Sequence, residues 1–225
     1  MFSYTNDFLI KNTIIFTKKQ KIKLFLPKTH NNINMRKFLL LLTAIIILPF
    51  SNVSAQKSFN IDGVIVPRTI QFQDKTLSLN GAGGRSKMWL EVYVQALYLS
   101  QLSQDPKYII DSDTEMAVRI EITSSMVSSN KLTKAMNSGF EKSAGDNLES
   151  LRPRIEQFKS YLSDEITQKD IFKLIYSPID SSVWVFKNDI LKGKVQGFDF
   201  KKALFGIWLS DKPADEKLKN QLLGK

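Results

Sequence analysis

The alternation of apolar and polar positions changes period along the chain, and each change predicts a change of element. From Phe59 to Val66 apolar residues alternate loosely until Pro67 stops the run, which predicts a strand. Thr69 to Phe72 and Thr76 to Leu79 are short β-type runs split by the polar Gln73, Asp74 and Lys75. The segment Asn80-Gly81-Ala82-Gly83-Gly84-Arg85 is rich in glycine and reads as a tight turn or bulge. Met88 to Leu99 predicts the strongest strand of the chain. Apolar and aromatic groups occupy both parities, with Glu91 and Gln95 sharing one, so the strand should be sandwiched, one face fully buried and the other half covered.

Beyond it, Pro106 to Ile110 predicts a short helical connection. Met116 to Ile122 predicts a cleanly alternating strand with Arg119 and Glu121 outward. The period then lengthens. Leu132, Ala135, Met136, Phe140 and Ala144 recur at helical spacing over Asn130 to Ala144. Leu148, Leu151, Ile155, Phe158 and Leu162 do the same over Leu148 to Leu162. Three more strands are expected at Ile171 to Tyr176, Val183 to Phe186 and Ile190 to Val195, with Asn188-Asp189 and Lys192-Gly193 as turn residues. An almost wholly apolar helix at Phe200 to Leu209 and a second at Pro213 to Leu223 close the chain. Strands, helices, strands and helices in blocks predict an α+β domain, an antiparallel sheet with helices on one face.

The beginning of the chain has another character. Met35-Arg36-Lys37 precedes the apolar stretch Phe38 to Phe50, and Val53-Ser54-Ala55 supplies small residues at the expected cleavage position. The apolar stretch is shorter than the roughly 20 residues a membrane span requires. Residues 35–55 therefore read as a signal peptide cleaved after Ala55, and Met35 as the initiator. Residues 1–34 read as a mis-assigned or disordered extension. The expected mature domain is 56–225, periplasmic or secreted, with no stable membrane span after cleavage.

That division alters the charge argument. The whole chain carries a formal charge of +10. Removing residues 1–55, which hold eight basic groups and one acid, leaves the mature part at about +3. A nucleic-acid partner based on whole-chain charge is therefore not expected. The sequence has no cysteine, and its one histidine, His30, lies in the leader. The mature domain thus lacks the groups for common zinc sites and for Ser-His or Cys-His nucleophile pairs. No metal and no cofactor is expected.

Three ordered segments carry a resemblance. They are Leu79 to Arg85 with Val92 to Leu99, then Phe200 to Leu209, then Asp211 to Glu216 with Leu218 and Leu222 to Gly224. In this order and spacing they are similar to the chalcone isomerase-like family. The resemblance implies an open-faced β-sandwich, a large antiparallel sheet with a helical layer on one face and a ligand cleft between them. Active members of that family cyclise a chalcone, and related non-catalytic members bind fatty acids.

Arg85 matches the family's cleft arginine. A guanidinium at the mouth of an apolar cavity suits a carboxylate or phenolate held by two parallel hydrogen bonds. The departures from the family's pattern bear on activity. Tyr93 stands where the active enzymes have a threonine. The helix expected at Asn130 to Ala144 has no tyrosine, with Asn137 as a stand-in for the family's asparagine. Phe198-Asp199-Phe200 replaces a Thr or Ser. Transition-state stabilisation needs several preoriented donors, so the resemblance implies a binder of a small amphiphile, such as a fatty acid, rather than an enzyme. The expected ligand-binding residues are Arg85, Tyr93, Trp89, Asn137, Met136 and Phe140. An isomerase or intramolecular lyase on another substrate is the first alternative, and a structural or partner-binding envelope protein is the second.

Overall fold

A computed structural model describes residues 58–87 and 90–225. The signal peptide and extension expected at 1–55, and Trp89 among the candidate site residues, lie outside the described residues.

The chain starts with a hairpin, β1 (Ser58–Ile61) and β2 (Val64–Pro67). Asp62 and Gly63 turn it, both at positive φ (50° and 83°). The single strand expected from Phe59 to Val66 is therefore two. The Asp-Gly pair, a strong hairpin signal, splits the loosely alternating run into two strands.

Seven strands then form one antiparallel sheet in sequential order. They are β3 (Thr69–Phe72), β4 (Lys75–Lys87), β5 (Leu90–Leu99), β6 (Met116–Ile122), β7 (Ile171–Ser177), β8 (Ser182–Lys187) and β9 (Ile190–Gln196). Helix α1 (Pro106–Asp111) lies between β5 and β6, and α2 (Ser129–Ser143) and α3 (Leu148–Ser160) lie between β6 and β7. Helices α4 (Phe198–Leu209) and α5 (Glu216–Leu222) follow β9. The expected α+β architecture, a large antiparallel sheet with a helical layer, is what forms. Three of the five helices, α1, α2 and α5, start at a side-chain cap. Asp105 accepts from Lys107 and Tyr108 amides at α1, Ser128 from Lys131 at α2, and Asp215 from Leu218 at α5. The last helix therefore begins after Asp215 and not at Pro213.

The glycine-rich segment is not a turn. Asn80 to Arg85 runs inside β4, and none of Gly81, Gly83 and Gly84 takes a positive φ. A bulge sits at Asn80, where the register steps from Leu79↔Tyr98 to Gly81↔Leu97. Before the bulge, Leu77 and Leu79 pack with Tyr98 on the face toward the β1–β2 hairpin. After it, Gly81, Gly83 and Arg85 pair with Leu97, Gln95 and Tyr93 on the face toward the helices. One extra residue exchanges the two faces of a strand, and here it turns Arg85 inward. A second irregularity between Arg85 and Ser86 separates Glu91 from Gln95, which therefore do not share a face as their spacing predicts.

Each face of the sheet has its own core. On the helical side, Leu97, Val118, Phe172, Leu174 and Val185 meet apolar residues of α2 to α5. On the other side Val64, Val66, Phe72, Val94, Tyr98, Ala117 and Ile175 pack beneath the hairpin. This second layer corrects the expectation for Arg119. Its side chain does point away from the helices, but it is only 8% exposed and pairs with Glu121 at 2.6 Å. Alternation reveals which residues share a face, not what covers that face.

Lys201 ties the helical layer together. It is wholly buried in α4, and its ammonium donates to the carbonyls of Ile109, Ile110 and Ser112 at 3.0, 2.7 and 2.8 Å. Those oxygens belong to the C-terminal end of α1, which a cation suits. Burial pushes the Lys201 pKa down to about 8.

Candidate functional site

Arg85 and Tyr93 are cross-strand partners on β4 and β5, half-buried and buried respectively. The Arg85 Nη1 donates to Tyr93 Oη at 3.2 Å, and its guanidinium carbon lies 5.7 Å from the Tyr93 ring centre. Trp208 Nε1, from α4, also donates to Tyr93 Oη, at 3.3 Å. With two donors directed at its oxygen, both Tyr93 lone pairs are engaged. Its own proton has no acceptor among the described residues.

Arg85 Nη2 reaches the Ala214 carbonyl at 3.5 Å, the outer limit of a hydrogen bond, and no carboxylate of the described residues pairs with the guanidinium. The site thus offers free N–H groups and a free phenolic O–H to one incoming anion. A carboxylate is acceptor-only and fits that set.

The helical wall over this pair is the α4–α5 end of the chain. Leu218, Leu222 and Leu223 are buried against the sheet. The glycines of β4 make the close approach possible. A Cβ on Gly81 would stand 2.2 Å from the Gln221 carbonyl oxygen, and one on Gly83 would stand 2.0 Å from Gln221 Oε1. Asn80, the bulge residue, fastens the arrangement by donating to the Ser103 and Leu222 carbonyls at 2.9 Å each.

Two polar side chains in this wall go unmet. Gln95 is 0% exposed, and neither its Nε2 nor its Oε1 has a hydrogen-bond partner. Gln221 Oε1 is likewise buried without one.

The expected site residues divide accordingly. Arg85 and Tyr93 come together. Met136 and Phe140 are buried on the inner face of α2, where Phe140 meets Phe158 and Phe200 with ring centres 6.0 and 5.7 Å apart. Asn137 is half-buried on the same helix, and no hydrogen bond joins it to Arg85 or Tyr93. Trp208, Gln95 and Gln221 were not singled out as ligand-binding. A lone Gln among the apolar positions of β5 was the available signal for one of them.

The described residues include two surface grooves of appreciable size. One of about 230 Å³ lies between α2, α3 and α4, lined by Ser143, Leu151, Lys202 and Gly206 among others. The second, about 450 Å³, is lined by Arg154, Gln157, Asp180, Ser182, Lys194 and Gln196. Neither reaches Arg85. Among the described residues no group of three or more His, Cys, Asp or Glu side chains could hold a metal ion, and no helix is long and apolar enough to cross a membrane.

The fold is similar to that of a fatty-acid binding protein of Arabidopsis thaliana known from a crystal structure. The TM-score is 0.57 at 16% identity, over 72% of this chain and 92% of the plant protein. At that identity the likeness speaks for the fold alone. No curated protein sequence matches the chain. The family model described as chalcone isomerase-like matches residues 58–224. With nearly every described residue inside that match and the large sheet and helical layer in place, the chain belongs to the chalcone isomerase-like family.

Proposed function

We propose that this protein binds a small amphiphile with an anionic head, a fatty acid being the class that fits best. The observation that carries the reading is the hydrogen-bonding state of Tyr93. Arg85 and Trp208 both donate to its oxygen, which leaves the phenolic proton and the unpaired guanidinium edge for a carboxylate. A structural neighbour that binds fatty acids supports the same class. The tail would run over the apolar inner face of β5 and β6, beneath α5. The reading includes export, with residues 35–55 as the leader and a periplasmic or secreted mature domain.

The close seating of α5 on the β4 glycines favours a second reading, a structural or partner-binding protein in which Arg85 and Tyr93 only brace the sheet against Trp208. The isomerase alternative has less support, because Asn137 does not join the pair.

Native mass spectrometry of the purified protein and titration with a fluorescent fatty acid test the proposal. Arg85→Ala should weaken binding by roughly tenfold to a hundredfold, the worth of a charge-assisted hydrogen-bond pair. A clean apo mass with no measurable affinity, or an affinity indifferent to Arg85→Ala, refutes it and leaves the bracing role.

A further inference from the structure

We infer that the ligand held at Arg85 carries a hydroxyl on its chain, received by the carboxamides of Gln95 and Gln221. The inference rests on the amphiphile-binding reading above and specifies which amphiphile the site takes.

The inner face of β5 presents Tyr93, Gln95, Leu97 and Leu99 in turn. Gln95 is the polar intruder in that row. Its cross-strand neighbours, Gly83 on β4 and Ile120 on β6, bring no side-chain partner. A fully buried carboxamide that no other side chain meets is costly to hold, and a leucine would fill the position without that cost.

The second carboxamide stands beside it. Gly83, next to Gln95 in register, has no side chain, and the space is taken by the end of Gln221, whose Oε1 sits 2.0 Å from where a Cβ would be. The α5 helix thus delivers a second unmet amide oxygen to the same row of the sheet. The two glutamines do not satisfy each other, since the atoms concerned are without partners.

The unmet set decides the chemistry. It holds two acceptor oxygens, Gln95 Oε1 and Gln221 Oε1, and one donor, Gln95 Nε2. A ketone or ester carbonyl would serve only the donor. A hydroxyl donates to one oxygen and accepts from the nitrogen, so it answers both kinds of demand. Tyr93 and Gln95 are two residues apart on one strand face, which sets the hydroxyl about 7 Å from the acidic head. The ligand class is therefore a medium- or long-chain hydroxy acid with its hydroxyl several carbons from the carboxylate.

The test is displacement of a fluorescent fatty acid from the whole protein by hexadecanoic acid and by a series of its monohydroxy derivatives. In that series the hydroxyl moves along the chain from the third carbon outward. Wild type should bind one mid-chain isomer about tenfold more tightly than the plain acid, the worth of one satisfied buried hydrogen bond. Gln95→Leu should flatten the ranking so that the hydroxyl becomes a handicap, and Gln221→Leu should reduce the preference. Gln95→Met serves if the leucine variant folds poorly. If the plain acid binds and no hydroxyl position improves on it, the hydroxy-acid inference is wrong while the amphiphile reading stands. If no acid binds at all, both are wrong.

Discussion

Replacing Gly81 by alanine asks whether the α4–α5 end of the chain is seated as tightly as the geometry requires. The added Cβ would lie 2.2 Å from the Gln221 carbonyl oxygen and 2.6 Å from that of Leu222. Both obstacles are backbone, so no rotamer change relieves them. Helix α5 must move away by about 1 Å to reach ordinary contact distance. Complete detachment would expose Leu218, Leu222 and Leu223, at about 1.5–3 kcal/mol each. A strained partial lift at about 1–3 kcal/mol is the cheaper outcome.

Gly206→Ala is the control. There the nearest atom to the new Cβ would be the Ser143 Cβ at 3.1 Å, only a few tenths of an ångström inside ordinary contact. Alanine in a helix also recovers up to about 1 kcal/mol over glycine, so the net change should be near zero. Urea unfolding should show Gly81→Ala destabilised by about 1–3 kcal/mol and Gly206→Ala by less than about 1. Amide exchange should quicken selectively across residues 216–223 in the first variant. Equal stability for the two variants, with the α5 amides as protected as in wild type, would refute the account of the glycine bed. If α5 is also the route of ligand entry, Gly81→Ala should take up a fatty acid faster than wild type.

The remaining predictions concern Lys201 and the α5 cap. Lys201→Met removes the donor from three carbonyls and should destabilise the protein by about 1–3 kcal/mol at neutral pH, measured by urea unfolding. The Lys201 pKa of about 8 in the fold lies below 10.5 for the unfolded chain, so between these values the unfolded state binds more protons. Wild type should therefore gain stability relative to Lys201→Met as pH rises from about 8 toward 10, at up to about 1.4 kcal/mol per pH unit. A constant difference across that window would show the lysine unperturbed. Asp215→Ala deletes the acceptor for the Leu218 amide and should cost about 1 kcal/mol, with faster exchange confined to the first turn of α5.

Apart from the β1–β2 hairpin and the continuity of β4, the sequence by itself determined the kind of elements and their order. Period-two runs such as Met116 to Ile122 and the helical stripes of α2 and α3 express local geometry, which a chain carries wherever it folds. The absence of Cys, and of His beyond residue 30, likewise limited the chemistry from sequence alone. Of the site, the ordered family motifs made Arg85 and Tyr93 legible.

What only the tertiary structure decided is which way those residues face and what lies against them. Alternation names two faces without saying which is inner, and the bulge at Asn80 exchanges them halfway along β4. Leu77 therefore packs under the hairpin while Arg85 meets the helices. The same limit misplaced Arg119, which points away from the helices into a layer formed by a hairpin far off in sequence. It also concealed the glycines' purpose. Gly81 and Gly83 are there for a helix more than a hundred residues later, and close approach between distant segments is a property of packing that no local pattern contains.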